Sequence, residues 1–339
     1  MSCLKYLLLA GLLYMAECSE VPTILLNNGE RMPALALGTY LGFDKNGIVK
    51  SENKLLRDVV CQAIDIGYRH IDTASIYSTE REIGEAINMK IKQGVVKRED
   101  VFITTKLWNT RHKREQVAEA LRESLKQLNL DYVDLYLMHW PIGINDDYTY
   151  SDVDFMETWQ GMEDMQKLGL AKAIGVSNFN KEQLERVIRE GSIRPAVIQI
   201  EVHPQIIQSD LISFAKSEGI VVMGYSPFGS LVSRYGMFFA GPRITDPKLV
   251  AIARKYGKTT PQVVLRWSVD RSVVPIPKSV NPNRLQENIN IFDFSLTKEE
   301  INVINSYNSN TRYTLPSFWQ NHPYYPFEKV DHPLANPFV

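Results

Sequence analysis

Apolar residues along the chain alternate between short continuous runs and stretches with helical spacing. The short runs are apolar on both faces, which is typical of buried parallel strands. Helical stretches separate these runs, and several of them end in glycine, a common helix terminator. A first hairpin with its turn at Asn28-Gly29 precedes the runs, and a last helix is predicted at 290–308. The strands are predicted at 34–37, 68–74, 100–108, 132–140, 172–179, 196–202, 220–227 and 272–279.

This alternation of strands and helices predicts the fold. Eight strands, each followed by a helical segment, indicate a (β/α)8 barrel that forms one domain over residues 19–339. The N-terminal hairpin precedes the barrel, and a C-terminal segment rich in aromatic residues is expected to pack as a loop over the mouth. A doubly wound sheet is the alternative, but no two glycines lie two positions apart, so its G-x-G fingerprint is missing.

The first residues predict a leader. Lys5 precedes an apolar run at 6–15, and the small residues Ala16 and Cys18 come before Ser19. The run is too short to span a bilayer, so residues 1–18 are interpreted as a cleavable signal peptide. We therefore expect a secreted protein with no membrane attachment after cleavage. A retained leader, disordered or tethered to a membrane, is the alternative, as is a cytoplasmic protein if the leader is not used.

Composition and charge limit the classes of ligand and partner that the protein is expected to bind. Formal net charge is −1 over 339 residues, so no basic field favours nucleic acid. Cys61 is the one cysteine left after the leader, which predicts no internal disulfide. The six histidines show no paired-ligand spacing, which argues against a metal-dependent hydrolase and predicts no metal site. A small-molecule ligand remains, and we expect a monomer.

Polar side chains end every predicted strand. The carboxyl ends of the strands form the functional face of such a barrel. Asp72, Lys106 and His139 end the second, third and fourth strands, and hydrogen-bonding residues at all eight ends are far less probable by chance than at one. The other strand ends carry Thr39, Tyr40, Ser177, Asn178, Gln199, Glu201, Tyr225, Ser226, Lys278 and Ser279.

Four of these side chains form a candidate catalytic group. Asp72 and Lys106 end adjacent strands, and a buried charge needs a partner, so they are expected to pair. Tyr77 follows Asp72 closely enough for its hydroxyl group to reach the Lys106 ammonium. The ammonium would favour the phenolate of Tyr77 and lower the tyrosine pKa, which makes Tyr77 a usable acid near neutral pH. His139 can donate a hydrogen bond to an oxygen that gains charge. No protein nucleophile is paired with a base, so the attacking group is expected from a cofactor.

Eight short motifs lie around these strand ends: LALGTY, HIDTASIY, TTKLW, DLYLMHWP, GVSNF, QIEVHP, GYSPFG and IPKSVNPNRLQEN. Together they resemble the aldo-keto reductases over residues 21–330. The resemblance implies an NADPH-dependent carbonyl reductase that transfers a hydride to a ketone or aldehyde carbon. It also implies that Tyr77 protonates the oxygen as the general acid, and that Asp72, Lys106 and His139 are the other catalytic members.

The resemblance also implies a cofactor cleft. Tyr225 would stack on the nicotinamide, and two cations near a helix start suit the 2′-phosphate of NADPH. An NAD-preferring site would more naturally present an acid to the ribose, so NADPH is the expected cofactor. Ser177, Asn178 and Gln199 would hold the carboxamide, Ser226, Phe228 and Ser230 would line the pyrophosphate path, and Lys278, Ser279, Arg284, Glu287 and Asn288 would bind the adenosine end. Thr39, Tyr40 and Val280 complete the expected cofactor-binding set.

Aromatic residues predict the character of the substrate. The expected substrate contacts are Tyr40, Trp108, His139, Trp140 and Trp319. The loop after the fourth strand is shorter than in aldose reductases, and Tyr40 stands where these enzymes often have Trp, so aldose specificity is not carried over.

A wide aromatic mouth favours bulky ketones. With this mouth and the predicted leader, the chain resembles secreted insect enzymes that reduce 3-dehydroecdysteroids. The alternatives are a general aldehyde or aldose reductase in detoxification, and a barrel that binds NADPH without turnover. The intact catalytic four argues against the non-catalytic barrel.

Overall fold

The computed structural model describes residues 21–42, 54–232 and 240–336. The predicted leader, residues 1–18, lies outside this part of the chain. A two-stranded antiparallel hairpin comes first, formed by β1 (Thr23–Leu25) and β2 (Arg31–Pro33). No helix in the described ranges is long and apolar enough to cross a bilayer.

Eight parallel strands form the central sheet, and each strand pairs with the next in chain order. Their side chains are almost all buried, as the apolar runs predict. The strands are β3 (Leu37–Gly38), β4 (His70–Asp72), β5 (Phe102–Leu107), β6 (Val133–Met138), β7 (Ala171–Ser177), β8 (Val197–Glu201), β9 (Val221–Tyr225) and β10 (Val273–Ile276).

The first and last strands close the sheet into a barrel. The amide of Ala36 donates to the carbonyl of Pro275 at 3.1 Å, and the amide of Gly38 donates to Pro277 at 3.0 Å. A Cβ atom on Gly38 would lie 3.2 Å from Ile276 Cγ2, so glycine permits this close approach. The predicted (β/α)8 barrel is confirmed, and the doubly wound alternative is excluded.

Helices surround the barrel on the outside. Eight of them connect successive strands, with both α7 and α8 between β9 and β10 and with α9 and α10 following β10. The helices are α1 (Leu55–Asp65), α2 (Glu80–Lys92), α3 (Arg114–Leu128), α4 (Phe155–Lys167), α5 (Lys181–Glu190), α6 (Ser209–Ser217), α7 (Pro247–Tyr256), α8 (Thr260–Asp270), α9 (Pro282–Ile289) and α10 (Lys298–Asn305).

The helix predicted at 290–308 is only partly correct. A separate helix, α9, ends at Ile289 just before this range, residues 290–297 are not helical, and α10 covers Lys298–Asn305. Asn281 caps the first by accepting a hydrogen bond from the amide of Arg284, and Pro282 suits its first position. Thr297 and Glu300 form a reciprocal capping box that starts the second helix at Lys298. These local caps set the helix boundaries in this region, and the predicted range did not take them into account.

The hairpin closes the end of the barrel opposite the predicted site. Leu26 and Met32 are buried among side chains of the barrel interior. Asn27 Nδ2 donates to the carbonyl of Pro195 and Asn28 Nδ2 donates to that of Lys172, close to the starts of β8 and β7. Burial of each large apolar side chain contributes roughly 1.5–3 kcal/mol to the free energy of unfolding. The hairpin therefore forms a stable cover over this end of the barrel. The functional face is left at the other end.

The C-terminal segment packs across the loops at that functional end. His322 Nε2 lies 3.1 Å from the carbonyl oxygen of Gly143, which follows β6. Tyr150 donates its hydroxyl proton to the carbonyl of Phe318 at 3.3 Å. Gln183 Nε2, in the first turn of α5, donates to the carbonyl of Tyr324 at 2.9 Å. The predicted aromatic loop over the mouth is therefore confirmed.

Two buried histidines should make the fold sensitive to acid. Burial lowers the pKa of His70 and that of His112 to about 3. In the unfolded chain an imidazole has a pKa of about 6.5. Below that value the unfolded state binds protons that the folded state does not. The free energy of unfolding should therefore fall as the pH decreases from there to about 3, by about 1.4 kcal/mol per pH unit for each histidine.

Urea unfolding at about pH 7 and about pH 5 tests this expectation. His112→Asn should make the loss on acidification smaller than in the parent chain by about 1.4 kcal/mol per pH unit. His332 is exposed, so His332→Asn is the matched control and should leave the pH dependence unchanged. An identical pH dependence in the parent chain and the His112 variant would contradict the account.

Candidate active site

Asp72 and Lys106 form a buried ion pair at the ends of β4 and β5. Lys106 is fully buried, and its Nζ donates to Asp72 Oδ1 at 2.7 Å and to the carbonyl of Thr73 at 2.8 Å. Burial lowers the pKa of Lys106, and the neighbouring carboxylate of Asp72 opposes that shift. The pair forms because adjacent parallel strands bring both side chains to one edge of the sheet, as the sequence predicts.

Tyr77 lies next to this pair. It ends a single 3-10 turn, Ser75–Tyr77, that follows β4 after two intervening residues. Lys106 Nζ lies 5.1 Å from the centre of the Tyr77 ring. The Tyr77 ring is 5.0 Å from that of Tyr40 and 5.7 Å from that of His139. All four predicted catalytic side chains therefore meet in one place.

His139 is a neutral imidazole in this setting. It directly follows β6 and is buried. Burial lowers the pKa of His139 well below its usual value, and the positive charge of Lys106 adds to the effect. A neutral imidazole carries one N–H donor, which suits a hydrogen bond to a polarised oxygen. The Trp108 ring packs edge-on against it at 5.3 Å.

Asp72 also receives hydrogen bonds from two other barrel strands. Gln199 Nε2, from β8, donates to Asp72 Oδ2 at 2.7 Å. Thr39, next to β3, donates its hydroxyl proton to the Asp72 carbonyl at 2.9 Å. Both residues were predicted as cofactor contacts, and their bonds to Asp72 were missed. Both carboxylate oxygens of Asp72 are thus held, one by the Lys106 ammonium and one by an amide.

A second network joins three more predicted residues to His139. Tyr225 donates its hydroxyl proton to Asn178 Oδ1 at 2.7 Å. Asn178 Nδ2 donates to the carbonyl of His139 at 3.0 Å and to Ser177 Oγ at 3.2 Å. Asn178 and Ser226 have φ values of 60° and 53°, a left-handed conformation that is uncommon outside glycine and tends to occur at functional sites. This network fixes the Tyr225 ring beside the catalytic group.

The residues predicted at the adenosine end cluster around the start of α9. Lys278 and Arg284 are exposed, and Ser279 Oγ accepts a hydrogen bond from the amide of Asn281. A helix N-terminus with two nearby cations favours an anion. Val280 is also exposed, Asn288 is buried, and the carbonyl of Glu287 accepts a bond from Gln262.

Two predicted cofactor contacts are engaged inside the protein instead. Ser230 is fully buried, its hydroxyl donates to the carbonyl of Pro242 at 2.8 Å, and its amide donates to Gln205 Oε1 at 3.1 Å. Phe228 packs against the main hydrophobic core. Both were predicted along the pyrophosphate path, and their contact with a cofactor stays a prediction.

The aromatic residues predicted to contact substrate form one cluster. Trp319 lies 6.0 Å from the ring of Trp108 and 5.7 Å from that of Trp140. Trp140 is only 5% exposed and Trp319 only 2%. Trp108 is half-buried and borders His139, so it presents more of its ring to the mouth than the other two.

The anchor of the C-terminal segment was missed from the sequence. Glu201, at the end of β8, accepts hydrogen bonds from the amides of Tyr313 at 3.0 Å and Thr314 at 2.9 Å. His203 Nε2 lies 3.1 Å from the same carboxylate, and the His203 ring stacks on Tyr313 at 4.7 Å. A carboxylate ending a fully buried strand was the available signal, but its partners lie more than a hundred residues away.

Known proteins match this chain over most of its length. The model of the aldo/keto reductase family matches residues 34–309. Aldo-keto reductase AKR2E4 of Bombyx mori is 48% identical over 307 residues, covering 91% of this chain and 99% of that protein. Human aldo-keto reductase family 1 member A1 is 40% identical over 325 residues, covering 90% of this chain and 97% of that protein.

Solved structures agree with the sequence matches. The crystal structure of AKR2E4 in complex with NADP superimposes with a TM-score of 0.87, covering 91% of this chain and 99% of that one. The crystal structure of AKR2E5, a silkworm reductase that is 44% identical to this chain, contains NADPH. It superimposes with a TM-score of 0.90, covering 94% of this chain and 97% of that one. The chain therefore belongs to the aldo-keto reductase family and is an NADPH-dependent oxidoreductase that acts on carbonyl compounds.

Proposed function

We propose that Tyr77 protonates the carbonyl oxygen during reduction, and that Lys106 and Asp72 make it able to do so. The observation that carries this assignment is the fully buried Lys106 ammonium, 2.7 Å from Asp72 and 5.1 Å from the Tyr77 ring. A nearby cation stabilises the phenolate that remains when the proton leaves. Asp72 keeps the buried lysine charged, since an unpaired ammonium would lose its proton there.

His139 is proposed to orient the substrate. As a neutral imidazole beside Tyr77, it can donate one hydrogen bond to the same carbonyl oxygen. Two donors then converge on one oxygen, which lowers the energy of the charge that develops there. The surrounding rings of Tyr40 and Trp108 reduce access of water, which strengthens both hydrogen bonds.

The residues present fit the nicotinamide cofactor of the family. Exposed cations at the start of α9 suit a phosphate, and the hydrogen-bonded Tyr225 offers a fixed aromatic ring close to the catalytic group. NADPH supplies a hydride when it is bound. We propose that Tyr225 stacks on its ring, that Ser177, Asn178 and Gln199 border the carboxamide, and that Lys278 and Arg284 hold the 2′-phosphate.

Replacing Arg284 with Ala tests the phosphate contact. A charge-assisted hydrogen bond contributes about 1.5–3 kcal/mol, so the Kd of NADPH should rise by about 10- to 100-fold. The Kd of NADH should change little, because NADH lacks the 2′-phosphate. Quenching of protein fluorescence would measure both constants, with the remote exposed-ion-pair variant Arg81→Ala as the control. An equal loss of affinity for the two cofactors would contradict the assignment.

We propose a bulky ketone, a 3-dehydroecdysteroid, as the substrate, reduced to the 3-hydroxy steroid. The support is the apolar mouth bordered by Tyr40 and Trp108. A smaller aromatic aldehyde is the second candidate. The deep burial of Trp140 and Trp319 favours it, because these rings offer little free surface to a steroid.

A substrate panel distinguishes the two. The chain from Ser19 onward would be given NADPH and either a 3-dehydroecdysteroid, an aromatic aldehyde or an aldose, with loss of NADPH absorbance as the signal. The highest kcat/KM on the steroid supports the hormone-precursor substrate. Turnover of the aldehyde alone keeps the mechanism and removes the steroid. Tight NADPH binding without any turnover would favour a binding protein.

A further inference from the structure

Side-chain hydrogen bonds attach the turn that carries Tyr77 to strand β5 on both sides of the tyrosine. Ser75, two residues before it, donates its hydroxyl proton to the carbonyl of Lys106 at 3.1 Å. Glu80, three residues after it, accepts a hydrogen bond from the hydroxyl of Thr105 at 2.6 Å. Thr105 and Lys106 are consecutive residues of β5, so both bonds end beside the lysine of the catalytic group.

Glu80 is an unusual residue for its position. It begins α2, yet it is only 5% exposed. Burial raises the pKa of its carboxyl group, while hydrogen bonds from Thr105 and Ser124 oppose the shift. A buried carboxyl is costly unless it is hydrogen-bonded, and a helix start facing solvent would accept almost any polar residue. Its placement therefore calls for a role beyond starting the helix.

We propose that Ser75 and Glu80 are positioning residues that fix the distance between Tyr77 and Lys106. This inference rests on the proposed role of Tyr77 as the proton donor. Tyr77 is only half-buried and lies in a single helical turn, a segment with little packing of its own. The ammonium acts on the phenol through a distance-dependent charge interaction. A turn that moved by about 1 Å would weaken this effect and could cost about 100-fold in rate.

Four variants test the proposal with NADPH and an aromatic aldehyde. Ser75→Ala removes the hydrogen bond to the carbonyl of Lys106, and Glu80→Ala removes the hydrogen bond from Thr105. Thr105→Val removes the donor of that second bond and keeps nearly the same side-chain volume. Each should lower kcat by about 10- to 100-fold, while KM and the Kd of NADPH stay as in the parent chain. Glu80→Gln keeps an oxygen that can accept the Thr105 bond and should restore most of kcat.

Glu163 provides the matched control. It is also a buried glutamate, and its carboxylate accepts bonds from the amides of Ser192 at 2.6 Å and Ile193 at 2.9 Å, away from the catalytic group. Glu163→Ala should lower the free energy of unfolding but leave the kcat of the folded enzyme unchanged. Fluorescence in urea would report folding for every variant, so loss of fold and loss of position are separated.

The inference fails if Ser75→Ala and Thr105→Val both keep the parent kcat, or if Glu80→Gln is as impaired as Glu80→Ala. Tyr77→Phe, measured alongside, separates this failure from failure of the proposed function. If Tyr77→Phe abolishes turnover while the positioning variants do not, only the inference is overturned. If Tyr77→Phe keeps the parent kcat, the role of Tyr77 falls first and the positioning role falls with it.

Discussion

Replacing Tyr77 with Phe should lower kcat for carbonyl reduction by about 10²- to 10⁴-fold, the usual contribution of a general acid. The variant keeps the aromatic ring that packs between Tyr40 and His139 and loses only the hydroxyl group. The Kd of NADPH should therefore remain unchanged. Loss of NADPH absorbance under saturating aldehyde would measure kcat, and fluorescence quenching would measure the Kd.

A second tyrosine serves as the control for this prediction. Tyr256, on α7, also donates a hydroxyl hydrogen bond, to Glu300 at 2.7 Å, but lies on the outside of the barrel. Tyr256→Phe should leave kcat at the parent value. Comparable activity in the Tyr77 and Tyr256 variants would show that the proton comes from another group.

Asp72→Asn should damage both stability and turnover. Removal of one partner from a buried ion pair typically costs about 3–5 kcal/mol, because the remaining charge is left without compensation. Burial already lowers the pKa of Lys106, and loss of the carboxylate would lower it further. The lysine would then lose its proton more readily, and Tyr77 would lose the cation beside it. Urea unfolding and kcat, both at about pH 7, measure the two effects.

A surface pair gives the comparison for Asp72. Asp293 accepts a hydrogen bond from Lys258 at 2.7 Å, and its side chain is 54% exposed. Exposed pairs contribute about 0–1 kcal/mol, so Asp293→Asn should change stability little and kcat not at all. If the two substitutions were equally mild, Asp72 would not be the partner that keeps the lysine charged.

The position of the catalytic group was predictable from the sequence because it depends on topology. Parallel strands in chain order bring their carboxyl ends to one face, so the residues ending each strand must converge. Asp72, Lys106 and His139 each lie near the carboxyl end of an apolar run, and the structure brings them together with Tyr77 as expected. The barrel itself followed from the same alternation of strands and helices.

Contacts between distant parts of the chain could not be predicted in this way. Gln199 and Asp72 are 127 positions apart, and the bond between them depends on the barrel radius rather than on any local pattern. The inward position of Ser230 depends on Gln205, whose Oε1 accepts a hydrogen bond from the backbone amide of Ser230. The start of α10 was placed too early for a different reason, since the capping box of Thr297 and Glu300 was overlooked.

The pH dependence of kcat/KM for reduction of an aromatic aldehyde tests the central claim most directly. If Tyr77 donates the proton, kcat/KM of the parent chain should fall as the pH rises and the donor loses its proton. The residual activity of Tyr77→Phe should lack that fall and stay about 10²-fold or more below the parent at neutral pH. A Tyr77→Phe variant with the parent rate and the same decline at high pH would show that another residue is the acid.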